Sequence, residues 1–252
     1  MIQPTTIQAQ QTMIHSRDIF NPNASIEIVP LFDGHQCIVI DNFLREPQAL
    51  VDFAKNKRAL FRYDTDNYFP GLEMDMGREF ALSLEQYFML QMRRYFSARR
   101  QLGVACRISM TTLQTHELNA LQRLCHRDAD TFPPGVGIAA AVVYLFQNAD
   151  LGGTSFYRPK LGVDSTRELL STAQNATPEA CTTLLKTSPA YLHGSNDYFE
   201  LMQTVPAKWN RAIFYEGTIF HAAHITQPTL LNSEPDTARL ALNGFFKFKK
   251  TA

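Results

Sequence analysis

Hydrophobic positions recur at helical spacing in the first part of the chain and at strand spacing in the second. Cys37-Ile38-Val39-Ile40 is a short β-rich run. Asp41-Asn42 then supplies cap chemistry ahead of FLREPQALVDFAKNKRALF, where Leu50, Phe53 and Ala54 return at helical intervals, with Leu60 and Phe61 near the end. A turn at 68–71 separates this helix from a longer one over GREFALSLEQYFMLQMRRYFSARR. There Phe80, Leu84, Tyr87, Phe88, Gln91 and Tyr95 fall near one face, and Arg93, Arg94, Arg99 and Arg100 gather toward the C-terminal end as a solvated face that suits the helix dipole. From about Val104 the texture changes. VACRISMTTLQ, GIAAAVVYLFQ, TSFYRP, RAIFYEG and ARLALNGFFKFK are short runs between turns, and each reads as a strand.

Helices followed by many short strands predict an α+β chain built on a jelly roll or barrel, buttressed by helices. Between two of the strands, residues 161–205 carry the helical patterns STRELLSTAQ and TPEACTTLLKT and read as a helical insertion. Residues 1–25 are polar and aperiodic, the pattern of an arm. The expected division is therefore an N-terminal arm over 1–25 and a single domain over 26–252, with helical support at about 43–100 and a β core at about 104–250.

Composition narrows the function classes. Of 252 residues, 45% are hydrophobic and 19% charged, enough apolar side chain for a sizeable core. The 24 basic and 24 acidic residues cancel, which argues against a nucleic-acid or anionic-membrane partner. No stretch approaches the roughly 18 apolar residues of a membrane span. Cys37, Cys106, Cys125 and Cys181 are widely spaced and form no C-x-x-C pair, so the expectation is a reduced, cytoplasmic setting with thiols unpaired.

Among seven histidines only His126, in LCHRDAD, sits in an H-x-D pattern, a match that chance alone supplies in a chain with 24 acids. Its context gives it weight, because residues two apart on an extended segment point the same way, so His126 and Asp128 can hold one ion. YEGTIFHAAHI offers a third ligand in His221 or His224. A strand puts these two on opposite faces, and His221 is preferred because it directly follows the Ile219-Phe220 run. Two histidines and a carboxylate on one face of an ion form the facial triad of non-haem iron(II) oxygenases. His193, with Asp197 four residues on, has no fixed geometry on a loop and is set aside. Arg239 opens the apolar strand ARLALNGFF: it either reaches solvent at the strand end or meets an anion whose carboxylate matches its fork. Tyr144 is either core or a hydroxyl serving that same anion.

The order His126-Arg127-Asp128, Val143-Tyr144-Leu145, Gly152-Gly153-Thr154-Ser155-Phe156, His221 and Arg239 resembles the iron(II)/2-oxoglutarate-dependent oxygenase superfamily in its prolyl-4-hydroxylase-like branch, over roughly residues 36–250. IVIDNFLREPQAL, the FPG turn and RLALNGFF also resemble a bacterial group within it. The resemblance implies a double-stranded β-helix, a jelly-roll barrel with helices packed on its major sheet. It implies iron(II) on His126, Asp128 and His221, with 2-oxoglutarate paired to Arg239 and hydrogen-bonded by Tyr144 and Thr154. The implied reaction uses O2, with ascorbate as a stimulant, to hydroxylate an unactivated C–H of a small molecule, amino acid or peptide side chain, releasing succinate and CO2. Two other readings stay open: a cupin-like zinc hydrolase or isomerase using the same two histidines and aspartate, and a non-catalytic jelly-roll binding module.

Overall fold

The structure is a computed structural model that describes residues 19–64, 69–129 and 133–251, so residues 1–18 of the expected arm lie outside the described residues. In chain order the elements are β1 (Ser25–Pro30), β2 (Gln36–Asp41), α1 (Pro47–Asn56), β3 (Arg62–Tyr63), β4 (Gly71–Asp75), α2 (Arg78–Tyr87), β5 (Ala98–Thr111), β6 (Val136–Tyr144) and β7 (Thr154–Pro159). After them come α3 (Val163–Gln174), α4 (Pro178–Leu185), β8 (Phe199–Val205), β9 (Arg211–Glu216), β10 (Phe220–Ala223) and β11 (Arg239–Lys250). An eight-stranded sheet has the order β1-β2-β9-β6-β11-β5-β4-β3, and a three-stranded sheet the order β10-β7-β8. Every ladder between these strands is antiparallel.

Period-two alternation sorts the side chains of the large sheet into two layers. Outward on β6, Ala139, Ala141 and Val143 join Ile38, Ile40, Ile108, Phe214, Leu240, Leu242 and Phe246 under the helices. α2 supplies Leu84 to this layer, and its continuation supplies Phe88, which stacks on Phe246 with centroids 4.4 Å apart. Inward, Val39, Ala140, Tyr144, Ile213 and Tyr215 meet Phe156 and Val205 of the small sheet. The outer face of the small sheet, with Tyr157, Phe199 and Phe220, is covered by Leu169 and Ala173 of α3 and Cys181 and Leu185 of α4. The result is helices, sheet, sheet, helices, with the space between the two sheets left for a site. All four cysteines are buried and unpaired. No helix among the described residues is long and apolar enough to cross a membrane.

Several boundaries differ from the sequence reading. The helix expected to run through Arg100 stops earlier: α2 passes into a π turn at Phe88–Met92 and a 3-10 turn at Arg93–Phe96, and Ser97 takes φ 51°, the left-handed stop. Arg99 and Arg100 therefore lie on β5, which starts at Ala98 rather than near Val104. β1 and β4 are strands the sequence pattern did not predict. Residues 161–205 hold α3 and α4, but their last seven form β8, paired to β7. The two sheets face each other without closing into the expected barrel. At the far end of the large sheet, Arg211 grips Asp41 with two bonds, Nε to Oδ1 at 2.7 Å and Nη2 to Oδ2 at 3.1 Å. That fork, helped by Lys208, holds the Asp41 carboxyl down at about 2 and ties β2 to β9.

Candidate metal centre

An antiparallel bridge builds the centre. His126 N–H donates to the His221 carbonyl at 3.0 Å and His221 N–H to the His126 carbonyl at 2.9 Å, so the two residues stand opposite each other with both rings on one face, centroids 4.4 Å apart. Two residues on, the Asp128 amide donates to the Gly217 carbonyl at 2.8 Å, which keeps the segment extended and returns the Asp128 side chain to that face. One ligand atom each from His126, Asp128 and His221 then lies within 4.8 Å of the others. Arg123 anchors the approach to this segment: its buried guanidinium donates to Thr182 Oγ1 on α4 and to the Thr187 carbonyl.

The bonding pattern calls for a cation. Nδ1–H of His221 donates to the Ile219 carbonyl at 2.9 Å, which leaves Nε2 as a bare lone pair. That lone pair faces Asp128 Oδ1 at 3.7 Å, acceptor against acceptor, and Asp128 Oδ2 is buried with no hydrogen-bond partner. Burial raises the Asp128 carboxyl to about 6. Burial likewise lowers His221 to about 4, and burial followed by the neighbouring His221 lowers His126 to about 4. The accessible face of His126 is turned to the cavity it lines. Both imidazoles are therefore neutral donors of electron pairs at neutral pH, beside a carboxylate that lacks a counter-charge. A divalent ion satisfies all three, and two histidines with one carboxylate suit iron(II) or zinc.

Gly217 makes room for this arrangement, since a Cβ there would lie 2.8 Å from Asp128 Oδ2. Gly217→Ala is expected to push the carboxylate off its position and weaken iron(II) binding about 10- to 100-fold. Calorimetric titration, with circular dichroism to confirm the fold, measures this, and unchanged affinity would show that the carboxylate is not held where the bare Gly217 backbone allows.

The triad lies in a cavity of about 460 Å³ between the sheets, a volume suited to small molecules. Arg239, 5% exposed, lines the same cavity. Its Nε donates to the Leu151 carbonyl at 3.0 Å, Nη2 to the Gly153 carbonyl at 2.7 Å and Nη1 to Thr111 Oγ1 at 3.3 Å. These fix the guanidinium without neutralising it, no carboxylate among the described residues pairs with it, and burial lowers its pKa. Thr154 lines the cavity, and its hydroxyl bonds Tyr144 Oη at 2.8 Å, so the fully buried Tyr144 reaches the site through Thr154.

The remaining candidates lie apart from the triad. His224 pairs its Nδ1 with Ser155 Oγ at 2.8 Å, and His193 meets the His224 ring edge-on with centroids 6.4 Å apart. Asp197 bonds Lys186 at 3.2 Å. Sequence reasoning missed Tyr191, which lines the cavity close to Arg239 and donates from its hydroxyl to the Leu113 carbonyl at 2.7 Å. It sits two residues before His193 in YLHGSND, a stretch whose irregular pattern gives an aromatic no assigned face.

Solved structures similar to this chain include a prolyl-4-hydroxylase from Pseudomonas putida, with 10% identity, 86% of this chain and 94% of that one covered, and a TM-score of 0.46. Others are the epimerase SnoN in complex with Fe3+, alpha-ketoglutarate and nogalamycin RO, with 12% identity, 84% and 78% covered and a TM-score of 0.45, and HygX from Streptomyces hygroscopicus with nickel and 2-oxoglutarate bound, with 10% identity, 87% and 84% covered and a TM-score of 0.42. No curated protein matches the sequence. A family model described as a family of unknown function, DUF6445, matches residues 22–246.

Proposed function

Because the chain belongs to the DUF6445 family, whose description names no activity, its chemistry is read from its own residues, and we propose that it is an iron(II)/2-oxoglutarate-dependent oxygenase hydroxylating a C–H bond of a small molecule, amino acid or peptide side chain. One observation carries the reading: a single cavity holds two histidines and a carboxylate in need of a cation, and a buried guanidinium in need of an anion. A zinc hydrolase has use for the first and none for the second.

His126, Asp128 and His221 would hold the ion through one ligand atom each, and three protein ligands would leave room for others. Iron(II), when bound, supplies the coordination and activation of O2 that oxidises 2-oxoglutarate to succinate and CO2. Arg239 would pair its fork with the far carboxylate of the cosubstrate, and the carbonyls of Leu151 and Gly153 keep that fork in place. The Thr154 hydroxyl, held by Tyr144, and the phenol of Tyr191 border the same space. Ala140, Ile138, Leu124 and Phe245 line much of the rest and make it apolar. The neutral chain suits a small or peptidic substrate better than a polyanion, with no membrane or nucleic-acid partner, and the reading is that of a cytoplasmic enzyme.

The test is anaerobic titration of the full chain with iron(II) and then 2-oxoglutarate. Saturable binding of 2-oxoglutarate and a weak visible absorption band of the complex are expected. Metal binding without any 2-oxoglutarate binding would overturn the reading in favour of a hydrolytic centre.

A further inference from the structure

Past the triad and Arg239, the cavity continues across β11 onto β5 and β4, where Phe69, Pro70, Leu121 and Phe245 make an apolar wall. Glu73, Arg107 and Asn243 stand in that wall on the inner face of the large sheet. The register brings them together, with Asn243 directly opposite Arg107 and Glu73 opposite Ser109, one step diagonal to Arg107.

Arg107 and Asn243 have bonding capacity that the described residues leave unused. Arg107, whose side chain is 41% exposed, makes one side-chain contact among the described residues, from Nη1 to Glu73 Oε2 at 3.4 Å, and its other N–H donors have no acceptor among them. Asn243 donates from Nδ2 to Ser109 Oγ at 2.6 Å, which leaves Oδ1 as an acceptor. Gln122 is a useful contrast: it lines the same cavity, and its amide is occupied by Tyr63, the Phe69 carbonyl and the Asn119 amide. A satisfied polar group is part of the wall, whereas an incompletely bonded cation beside an acid and a free carbonyl is a receptor.

We propose that Glu73, Arg107 and Asn243 form the head-group site for a free amino acid, with the substrate carboxylate on the unused edge of the Arg107 guanidinium and its ammonium shared by Glu73 and Asn243 Oδ1. The proposal rests on the oxygenase reading above and names its substrate class. Charge decides the class: a simple anion or cation would match one of the two opposite charges and meet repulsion from the other, whereas a zwitterion matches both. The existing Arg107–Glu73 contact is long, at 3.4 Å, so shorter charge-assisted contacts from a zwitterion compete with it.

The experiment is calorimetry on the full chain loaded with iron(II) and 2-oxoglutarate under nitrogen, titrated with each of the twenty L-amino acids and then with the N-acetyl and methyl-ester forms of any that bind. At least one free amino acid is expected to bind saturably, with each blocked form about tenfold weaker or worse. Glu73→Gln and Arg107→Gln are each expected to weaken that amino acid at least about tenfold while 2-oxoglutarate affinity stays within about twofold, which also shows that the cavity remains folded. The assignment is overturned if no free amino acid binds a chain that does bind 2-oxoglutarate, if blocked forms bind as tightly as free ones, or if neither variant changes the affinity. Failure of 2-oxoglutarate itself to bind removes the oxygenase reading, a different outcome from loss of the head-group site alone.

Discussion

Asp128→Asn is expected to abolish useful iron(II) binding, by more than about 100-fold, while making the metal-free protein more stable. The two effects have one cause. The Asp128 side chain is 8% exposed, Oδ2 has no partner, and Oδ1 faces a lone pair on His221. Without metal the carboxyl is raised to about 6 from 3.8. A raised acid binds its proton more tightly in the folded chain than in the unfolded one, so the Asp128 contribution to metal-free stability falls as pH climbs from about 4 through about 6, to a cost on the order of 3 kcal/mol at pH 7. His126 and His221, lowered to about 4, contribute the opposite slope over the same range and are common to both proteins. An asparagine removes the charge and can donate its amide N–H to His221 Nε2. Thermal unfolding in chelator, compared with iron titration, reads both signs. A variant that loses metal and also loses metal-free stability would show that the carboxylate is part of the scaffold rather than a vacant ligand.

The second large effect is expected at Arg239. Arg239→Met should weaken 2-oxoglutarate by at least about 30-fold, the effect of deleting one partner of a buried charge pair, and leave iron(II) affinity within about twofold because the guanidinium touches none of the three metal ligands. Some stability is lost as well, since the Leu151 and Gly153 carbonyls lose their donors at roughly 1–3 kcal/mol each. Arg239→Lys keeps the charge but not the fork and is expected to fall between the two. Calorimetry with 2-oxoglutarate on iron-loaded protein measures each. Equal affinity in all three proteins would place the cosubstrate elsewhere.

What was legible in the sequence depended on whether a residue's role was local. The run GIAAAVVY reads as a strand because β6 is buried on both faces and carries small and branched side chains throughout. The α3 and α4 patterns were visible because each has its own amphipathic period. β4, with the sequence GLEMD, is short and near a sheet edge, and although Leu72 and Met74 alternate with Glu73 and Asp75, two apolar positions are too few to announce a strand. β8, with the sequence FELMQTV, has no clean alternation of apolar and polar side chains and follows two helical patterns, so it was absorbed into them. His126 and Asp128 stand out at a spacing of two, but the His221 bridge that aligns them is a contact across 95 positions that no local pattern encodes. Tyr191 donates to Leu113 across 78 positions, and Thr154 stands between Tyr144 and the cavity; both are facts of packing rather than of spacing.

The four buried, unpaired cysteines have a practical consequence. Cys37, Cys106 and Cys125 belong to different packing layers, and burial raises each thiol, so in the folded chain they are protonated and poor nucleophiles. Alkylating reagents can reach them only when the surrounding layer opens. The rate at which each cysteine acquires a mass tag therefore reads out, layer by layer, how often the native protein breathes, with no engineered probe required.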